Sequence, residues 1–307
     1  ELWFNSTAST FQYQYGATAA AWSTGGSLNT ARRILGGAGI QTAALAFGGQ
    51  APPGVTNVTE AYNGSNWTEV NDLNSARAGL AGCGTQTAAL AFGGTGPTAN
   101  TELWNGTNWT EVNNLNTGRN VVAGAGISTS ALAFGGNPVT AVTESWNGTN
   151  WTEVNDLNTA RQSLAGAGAD NTSALAFGGI TPSAVTAVTE TWNGTNWTEV
   201  NDLNTARENI SGAGTQTSAL GFGGYVSSPT PVTGATESWN GTNWTETADL
   251  TTARRQMGAA GASNSSSLAF GGFAPPETAA TEEFSTTTAV GVWSTGGDLN
   301  TARGYVA

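Results

Sequence analysis

Residues 146–161 and residues 192–207 have the same sequence, WNGTNWTEVNDLNTAR. Related stretches recur from one end of the chain to the other, at intervals of 42 to 49 residues between corresponding Arg residues. Self-similarity at such a period is typical of repeat architectures. Each unit carries a Trp and, ten residues later, an Arg. The seven copies of the Trp are Trp22, Trp67, Trp109, Trp151, Trp197, Trp244 and Trp293. The seven copies of the Arg are Arg32, Arg77, Arg119, Arg161, Arg207, Arg254 and Arg303.

Four short strands are predicted in each unit. Counted from the Arg, the first is small and apolar, the second resembles SALAF at 173–177, the third carries an aromatic residue, and the fourth is the WTEV run. Asn-Gly between the third and fourth strands, as at Asn147-Gly148, is a strong β-hairpin signal because both residues tolerate positive φ. Four-stranded units at this period predict an all-β β-propeller in which each unit forms one blade.

The repeated unit resembles the kelch motif family. A glycine pair (Gly178-Gly179), a third-strand aromatic residue (Trp192), the following Trp197 and then Arg207 occur in kelch order. The resemblance covers essentially the whole chain, although the third-strand residue is often Trp where kelch repeats usually have Tyr. It implies a propeller of kelch-like blades.

Seven copies of the Trp and of the Arg predict seven blades in a single domain that spans residues 1–307. Residues 1–25 would supply strands two, three and four of the closing blade, and residues 303–307 would supply its first strand. Pairing of these fragments would remove an open sheet edge. Segments 10–22 and 281–293 align without gaps and would lie in blades that are adjacent across the closure. This sector is predicted to attach to a neighbouring subunit or domain.

The composition excludes several kinds of chemistry. The 307 residues include no His and no Lys, only 10% are charged, and the net charge is −12. Without His there is no Ser-His-Asp or Cys-His pair and no common zinc site. The negative charge repels phosphate backbones, so nucleic acid is not an expected partner. No run of 18 apolar residues occurs, so no membrane insertion is expected.

No catalytic residue and no cofactor are predicted. Most acidic residues belong to the repeat, and the predicted first strands, which normally line the central channel of a propeller, contain Gly and Ala but no acid or base. Asn71-Asp72 and its copies would offer Ca²⁺ ligands if a loop clustered them, but turn capping is the preferred explanation. The repeated Arg is interpreted as structural, satisfying loop carbonyls or the repeated Glu of the fourth strand. The repeated Trp is interpreted as core, and Cys83 as a small buried residue.

A recognition face is predicted from the variation between units. The loop after each Gly-Gly and the two residues after each Arg vary most. In an up-and-down blade both emerge on the same side, and loops on a rigid scaffold commonly carry binding specificity. Neutral drift of loop length is the alternative explanation. The candidate recognition residues are Tyr225, Pro229, Pro231, Phe273, Pro275, Pro276, Arg33, Glu208 and Arg255.

The preferred interpretation is a non-enzymatic, extracellular binding or structural propeller. Near-identical, lysine-free arrays rich in Asn, Thr and Gly resemble repeat segments of structural and tail-fibre proteins of marine bacteriophages. That resemblance implies a virion role, with a host-surface glycan or a protein assembly partner as ligand. The alternatives are a lectin-like adhesin module of a bacterial surface, an intracellular kelch interaction domain, and a glycan lyase or hydrolase that uses carboxylates alone.

Overall fold

The computed structural model describes residues 2–5, 10–227 and 231–295, which form 27 strands. Six antiparallel sheets are the blades of a propeller, and a two-stranded ribbon in one loop is separate. The first strands of the six blades are β3 (Gly36–Ile40), β9 (Ala81–Thr85), β13 (Ala123–Ile127), β17 (Ala165–Asp170), β21 (Ser211–Thr215) and β25 (Gly258–Ser263). The second strands are β4 (Ala43–Phe47), β10 (Ala88–Phe92), β14 (Ser130–Phe134), β18 (Ser173–Phe177), β22 (Ser218–Phe222) and β26 (Ser266–Phe270).

The third and fourth strands complete each blade outward. The third strands are β7 (Thr59–Tyr62), β11 (Thr101–Trp104), β15 (Thr143–Trp146), β19 (Thr189–Trp192), β23 (Thr236–Trp239) and the beginning of β27 (Thr281–Thr295). The fourth strands are β8 (Trp67–Val70), β12 (Trp109–Val112), β16 (Trp151–Val154), β20 (Trp197–Val200), β24 (Trp244–Glu246) and the end of β2 (Thr10–Gly25). The remaining strands are β1 (Leu2–Asn5), β5 (Gln50–Ala51) and β6 (Gly54–Val55). The predicted β-propeller with repeated blades is confirmed.

The prediction of seven blades is wrong, because the ring closes with six. The sixth sheet has the order β1-β2-β27-β26-β25. Trp22 lies opposite Phe284 in this sheet, just as Trp151 lies opposite Trp146 in a continuous blade. The sixth blade therefore takes strands one to three from the C-terminal part of the chain and strand four from the N-terminal part. The prediction assigned three strands of the closing blade to the N-terminal part and one to the C-terminal part, so the observed division is the reverse. Residues 303–307, which were predicted to supply the first strand, lie outside the described residues.

Segments 10–22 and 281–293 are not hairpins of two adjacent blades, as was predicted, because they pair with each other. Beyond Trp22 and Phe284, β2 and β27 continue as an antiparallel ribbon that reaches from Ala21 opposite Ser285 to Gln12 opposite Thr295. We call residues 12–21 and 285–295 the closing ribbon. It leaves the sixth blade where the other blades have an Asn-Gly hairpin.

The core lies between neighbouring blades. Phe134 of the third blade packs on Trp197 of the fourth with ring centroids 5.0 Å apart, and the Trp197 indole N–H donates to the buried Thr143 hydroxyl of the third blade. The same pair of contacts joins the fifth blade to Trp22 of the sixth. Six indole-to-threonine hydrogen bonds of 3.0–3.1 Å complete the circle, from Trp22, Trp67, Trp109, Trp151, Trp197 and Trp244.

Two departures in the N-terminal unit explain why it does not add a seventh blade. Phe11 stands where each of the six third strands has the Glu that pairs with Arg, so a seventh junction would lack its carboxylate. Asn5-Ser6 stands where the other units have Gly-Gly. In the first blade those glycines, Gly48 and Gly49, have φ of 62° and 107°, a region that side chains disfavour.

Candidate functional site

Each repeated Arg in the described residues joins one blade to the next. Arg161 leaves the fourth strand of the third blade, and its Nη2 donates to Glu190 Oε1 at 2.9 Å in the fourth blade. Its Nη1 donates to the carbonyls of Gly178 and Val188. The carboxylate partner therefore belongs to the third strand, and not to the fourth strand as was expected. The equivalent pairs are Arg32–Glu60, Arg77–Glu102, Arg119–Glu144, Arg207–Glu237 and Arg254–Glu282.

Both carboxylate oxygens of each junction are occupied, although the buried Nε of the guanidinium has no hydrogen-bond partner at five of the six junctions. Glu190 Oε2 accepts from both the backbone N–H and the side-chain amide of Asn158 at 2.7 and 2.8 Å. Burial lowers the pKa of the Arg161 guanidinium, while Glu190 opposes that shift. A buried pair of this kind is tolerated because the two terminal nitrogens of the guanidinium and both carboxylate oxygens lie in an ion pair with further hydrogen bonds. The six third-strand carboxylates are therefore structural and unavailable for catalysis.

The loops after the second strands and the linkers after the fourth strands meet on one side of the ring, which we call the Gly-Gly face. At five of the six described junctions, the residue after the repeated Arg bridges to the residue after a Gly-Gly pair, as Arg255 does to Phe273 and Glu208 to Tyr225. At the remaining junction, Ala78 is hydrogen-bonded to the Thr95 hydroxyl. The backbone N–H of Tyr225 donates to the Glu208 carbonyl at 2.8 Å, and the reverse bond is 3.0 Å. The two most variable parts of the repeat are therefore fixed side by side.

Four candidate residues on this face form a continuous stack. The Arg255 guanidinium lies 5.0 Å from the ring centroid of Tyr225 and 5.3 Å from that of Phe273. The Arg33 guanidinium lies 4.9 Å from the centroid of Phe273 on the following blade junction. We call Tyr225, Arg255, Phe273 and Arg33 the arginine–aromatic stack. It spans the fifth, sixth and first blades.

The two arginines of the stack differ in their partners. Arg33 Nε lies 3.1 Å from Glu277 Oε1, and Arg33 Nη2 donates to Gln50 at 3.2 Å. Among the described residues, Arg255 makes no ion pair, and its buried Nε, like that of Arg33, has no hydrogen-bond partner. Burial raises the pKa of the neighbouring Glu208 carboxyl, and Arg255 opposes that shift. Arg255 therefore offers a cation held between two rings with its hydrogen-bonding capacity largely unused.

The remaining candidates lie around this stack. Pro231, Pro275 and Pro276 are exposed, whereas Pro229 lies outside the described residues. Tyr225 and Phe273 are half-buried. The guanidinium contacts account for their partial burial.

The central channel opens on the same face through a ring of six residues. Each is the second residue after a repeated Arg, and each has a positive φ between 44° and 67°. The backbone N–H of every member donates to the carbonyl of the preceding member at 2.7–3.3 Å, which closes a circle of six hydrogen bonds. We call this ring the collar; its members are Ile34, Gly79, Val121, Ser163, Asn209 and Gln256. Left-handed Ile and Val are strained, so the circle of bonds must hold them there.

Below the collar, the channel is narrow and lined by the first strands. A cavity of about 110 Å³ lies at the collar, and its wall includes Leu80, Leu164 and Met257. Deeper in the channel, a Cβ added to Gly166 would lie 2.6 Å from the carbonyl oxygen of Gly124. Glycine is required at this close approach of neighbouring blades. The residues that line the described channel include no carboxylate and no basic side chain.

The other candidates have local structural partners. Asp156 and Asp202 accept the backbone N–H groups of Thr143 and Thr189, which start third strands. The described part of the chain contains no group of three or more His, Cys, Asp or Glu residues arranged to hold a metal ion. Cys83 is buried, and burial raises the pKa of its thiol to about 12.

Sequence reasoning named all four residues of the stack but not their contact with one another, and it did not find the collar. Arg33 and Arg255 are the second arginine of an Arg-Arg pair, and this doubling at only two of the seven units was the available signal for the stack. The collar has no signal in residue type, because Ile, Gly, Val, Ser, Asn and Gln share no property beyond their position.

Comparison with protein-family models yields no matching family, and comparison with curated proteins yields no matching relative. The kelch-like identity and the likeness to bacteriophage proteins therefore stay predictions. No helix in the described ranges has the length and apolar character needed to cross a membrane.

Proposed function

We propose that this protein is a non-enzymatic, kelch-like binding propeller on a virion surface or fibre, which recognises a host-surface glycan or an assembly partner through the Gly-Gly face. The observation that carries this proposal is the arginine–aromatic stack. Tyr225, Arg255 and Phe273 lie on three segments that are anchored by backbone bridges, so the stack is positioned before any ligand arrives. Preorganised aromatic and Arg side chains are typical of binding hot spots.

The chemistry of the stack favours a ligand that combines a ring face with an anionic or polar group. Aromatic rings offer apolar contact area, and a guanidinium binds carboxylates through paired N–H groups. Arg255 is suited to this role because no carboxylate among the described residues pairs with it. The virion assignment is supported by the lysine-free, Asn-rich, Thr-rich and Gly-rich composition.

A glycan array and intact bacterial cells, each with and without Ca²⁺, test the proposal. Saturable binding by the unaltered protein is expected, and Arg255→Ala is expected to weaken it about tenfold or more, since hydrogen bonds from a charged group contribute roughly 1.5–3 kcal/mol. Asn120→Ala is the matched control, because Asn120 occupies the equivalent bridging position on the opposite side of the same face. Equal loss in both variants would assign binding elsewhere, and no binding to either probe would favour a spacer role within an assembly.

A lectin-like adhesin module of a bacterial surface is the second candidate. The observation that favours it is the pair of carboxylates beside the stack, Glu208 and Glu277, because hydroxyl-rich sugars bind to aromatic rings flanked by hydrogen-bond acceptors. Replacement of both residues by Gln separates a neutral sugar ligand from the anionic ligand that the stack alone favours. A neutral sugar ligand would lose affinity, whereas an anionic ligand would gain it.

A further inference from the structure

The third strands of the first and sixth blades each depart from the repeat at one position. The aromatic position of the third strand is Trp in four blades, Phe284 in the sixth and Tyr62 in the first. The position before it is Ala, Leu, Ser or Thr in five blades and Glu283 in the sixth. The first and sixth blades are neighbours across the closure, and we call the boundary between them the closing seam. The tyrosine and the carboxylate therefore lie on the two sides of one boundary.

These two side chains are hydrogen-bonded across the closing seam. The Tyr62 hydroxyl donates to Glu283 Oε1 at 2.5 Å, and Tyr62 is fully buried while Glu283 is half-buried. Burial and the neighbouring Glu283 raise the pKa of Tyr62 to about 12, so the hydroxyl keeps its proton and remains a donor. In a continuous blade the third-strand Trp donates within its own blade, as Trp146 does to the Ser128 carbonyl. A bond from the third-strand aromatic residue to the next blade is thus a property of this seam.

The last residue of the closing strand β2 lies against this hydrogen bond. Gly25 stands where the third blade has Val154. A Cβ added to Gly25 would lie 2.9 Å from the Tyr62 hydroxyl oxygen and 3.0 Å from Glu283 Oε1. Gly25 has no positive φ, so its backbone conformation does not require glycine. The space beside Gly25 is occupied by the hydrogen-bonded pair, and this explains the glycine.

The next residue shows what the closing seam gives up. Gly26 stands where the third blade has Asn155, whose side-chain amide donates to Thr195 and Asn196 in the hairpin of the following blade. At the seam, a Cβ on residue 26 would lie 2.1 Å from the Ser65 carbonyl oxygen in the hairpin of the first blade. Gly26 permits this close approach and offers no side-chain donor. The bond between Tyr62 and Glu283 therefore replaces the asparagine-to-hairpin bonds of a continuous junction.

We propose that Tyr62 and Glu283 form a clasp, which holds the end of β2 in the sixth blade and whose release opens the ring at the closing seam. Among the fourth strands of the six described blades, β2 is the one that no hairpin joins to its third strand. It can therefore separate from β27 without straining a turn. Segments that are held by few local connections open before the whole domain unfolds. The clasp adds a charge-assisted bond where the chain connectivity gives no support.

Native-state hydrogen exchange, read by mass spectrometry, tests the clasp in Tyr62→Phe, Glu283→Gln and the double variant. Amides of residues 22–25 are expected to exchange about tenfold faster or more in each single variant, because a hydrogen bond to a charged group is lost. The double variant should exchange no faster than the single variants, since both remove the same bond. Exchange in residues 151–154 of the third blade should not change. Trp192→Phe removes a third-strand donor in the fourth blade and is the control, which should leave residues 22–25 unaffected.

Gly25→Ala tests the same clasp without touching either partner. In the unaltered chain the added methyl group displaces the pair, so exchange in residues 22–25 should rise as it does in Tyr62→Phe. In the Tyr62→Phe chain the same substitution should have little further effect, because the hydroxyl that it contacts is absent. Equal effects of Gly25→Ala in the two chains would overturn the proposal. An unchanged exchange of residues 22–25 in the clasp variants, or an equal rise in residues 151–154, would overturn it as well.

Discussion

The fourth and sixth blades reach the same strand pairing by different routes. In the fourth blade a short Asn-Gly turn joins Trp192 to Trp197, and the two aromatic residues lie opposite each other. In the sixth blade Phe284 and Trp22 make the equivalent pair although 262 residues separate them. The interblade contacts are the same in kind at both places. The contacts at a blade junction therefore do not depend on how its strands are connected. Which strand completes the sixth blade depends instead on pairing between residues that are far apart in the chain.

The side of the ring that carries the Asn-Gly hairpins, which we call the hairpin face, also differs at the sixth blade. Asn113 and its equivalents after the fourth strands donate to the Asn-Gly hairpin of the next blade. After the fourth strand of the fifth blade this position is Ala248, and the next blade has the closing ribbon in place of a hairpin. The closing region therefore lacks the asparagine-to-hairpin hydrogen bonds that join the continuous blades.

Removal of a junction carboxylate is expected to have the largest effect. Glu190→Ala in a continuous junction and Glu60→Ala in the closing junction should each lower the free energy of unfolding by about 3–5 kcal/mol, because a buried guanidinium is left unpaired. Denaturant unfolding measures both, with the exposed fourth-strand Glu199→Ala as control. A clearly smaller loss in Glu60→Ala would mean that the closing junction contributes less than the others.

Loss of an indole acceptor should have an intermediate effect. Thr143→Val removes the acceptor of the Trp197 indole, and Thr236→Val removes that of Trp22. Each leaves a buried donor unsatisfied and should cost about 1–3 kcal/mol. The exposed Thr152→Val is the control in thermal unfolding. Similar losses at the two sites would show that the closing strand is packed as firmly as a continuous one, and unequal losses would contradict that.

Changes on the hairpin face should be smaller and asymmetric. Asn113→Ala removes hydrogen bonds of 3.0 and 2.8 Å to the next hairpin and should cost about 0.5–1.5 kcal/mol. Ala248→Asn should give no gain, because the ribbon offers no Asn-Gly hairpin to accept from it. A stabilising Ala248→Asn would contradict the arrangement of the sixth blade.

The smallest effect is expected at Glu208, beside the arginine–aromatic stack. The folded state raises the pKa of this carboxyl above its ordinary value of 4.5, so the folded state binds the proton more readily than the unfolded state. Its contribution to stability is then present at low pH and is lost as the pH rises through the window above 4.5. Glu208→Gln should remove this decline. Melting curves of both chains between pH 4 and 7 measure it, and parallel pH profiles would contradict the raised pKa.

The sequence predicted the interior of a blade well because its contacts are local. Asn-Gly turns of fixed length place Trp146 opposite Trp151, and the burial of the second strands follows from the apolar run that ends in Phe. The Gly-Gly face was predicted from strand direction alone. The partner of the repeated Arg was not, because Glu of the third and fourth strands recur at nearly every unit and only interblade packing distinguishes Glu190 from Glu199.

The number of blades was misread for a specific reason. The repeated Trp and Arg each occur seven times, whereas the third-strand Glu and the Gly-Gly pair, which complete a junction, each occur six times. Phe11 in the place of the carboxylate, Asn5-Ser6 in the place of Gly-Gly, and Ala248 in the place of Asn were visible in the sequence. Each acquires meaning only when the neighbouring blade is known.

The sequence by itself determined the blade, its four strands, its turns and the side of the ring on which the units vary. Hydrogen bonds between residues that are near in the chain specify all of these. Only the tertiary structure decided that six blades close the ring and that Trp22 completes the last one. Residues 22–32 and 293–303 are nearly identical in sequence, so local propensity cannot decide which of them completes the last blade. The closing strand is decided by the pairing of Phe284 with Trp22, which are far apart in the chain but adjacent in the sixth blade.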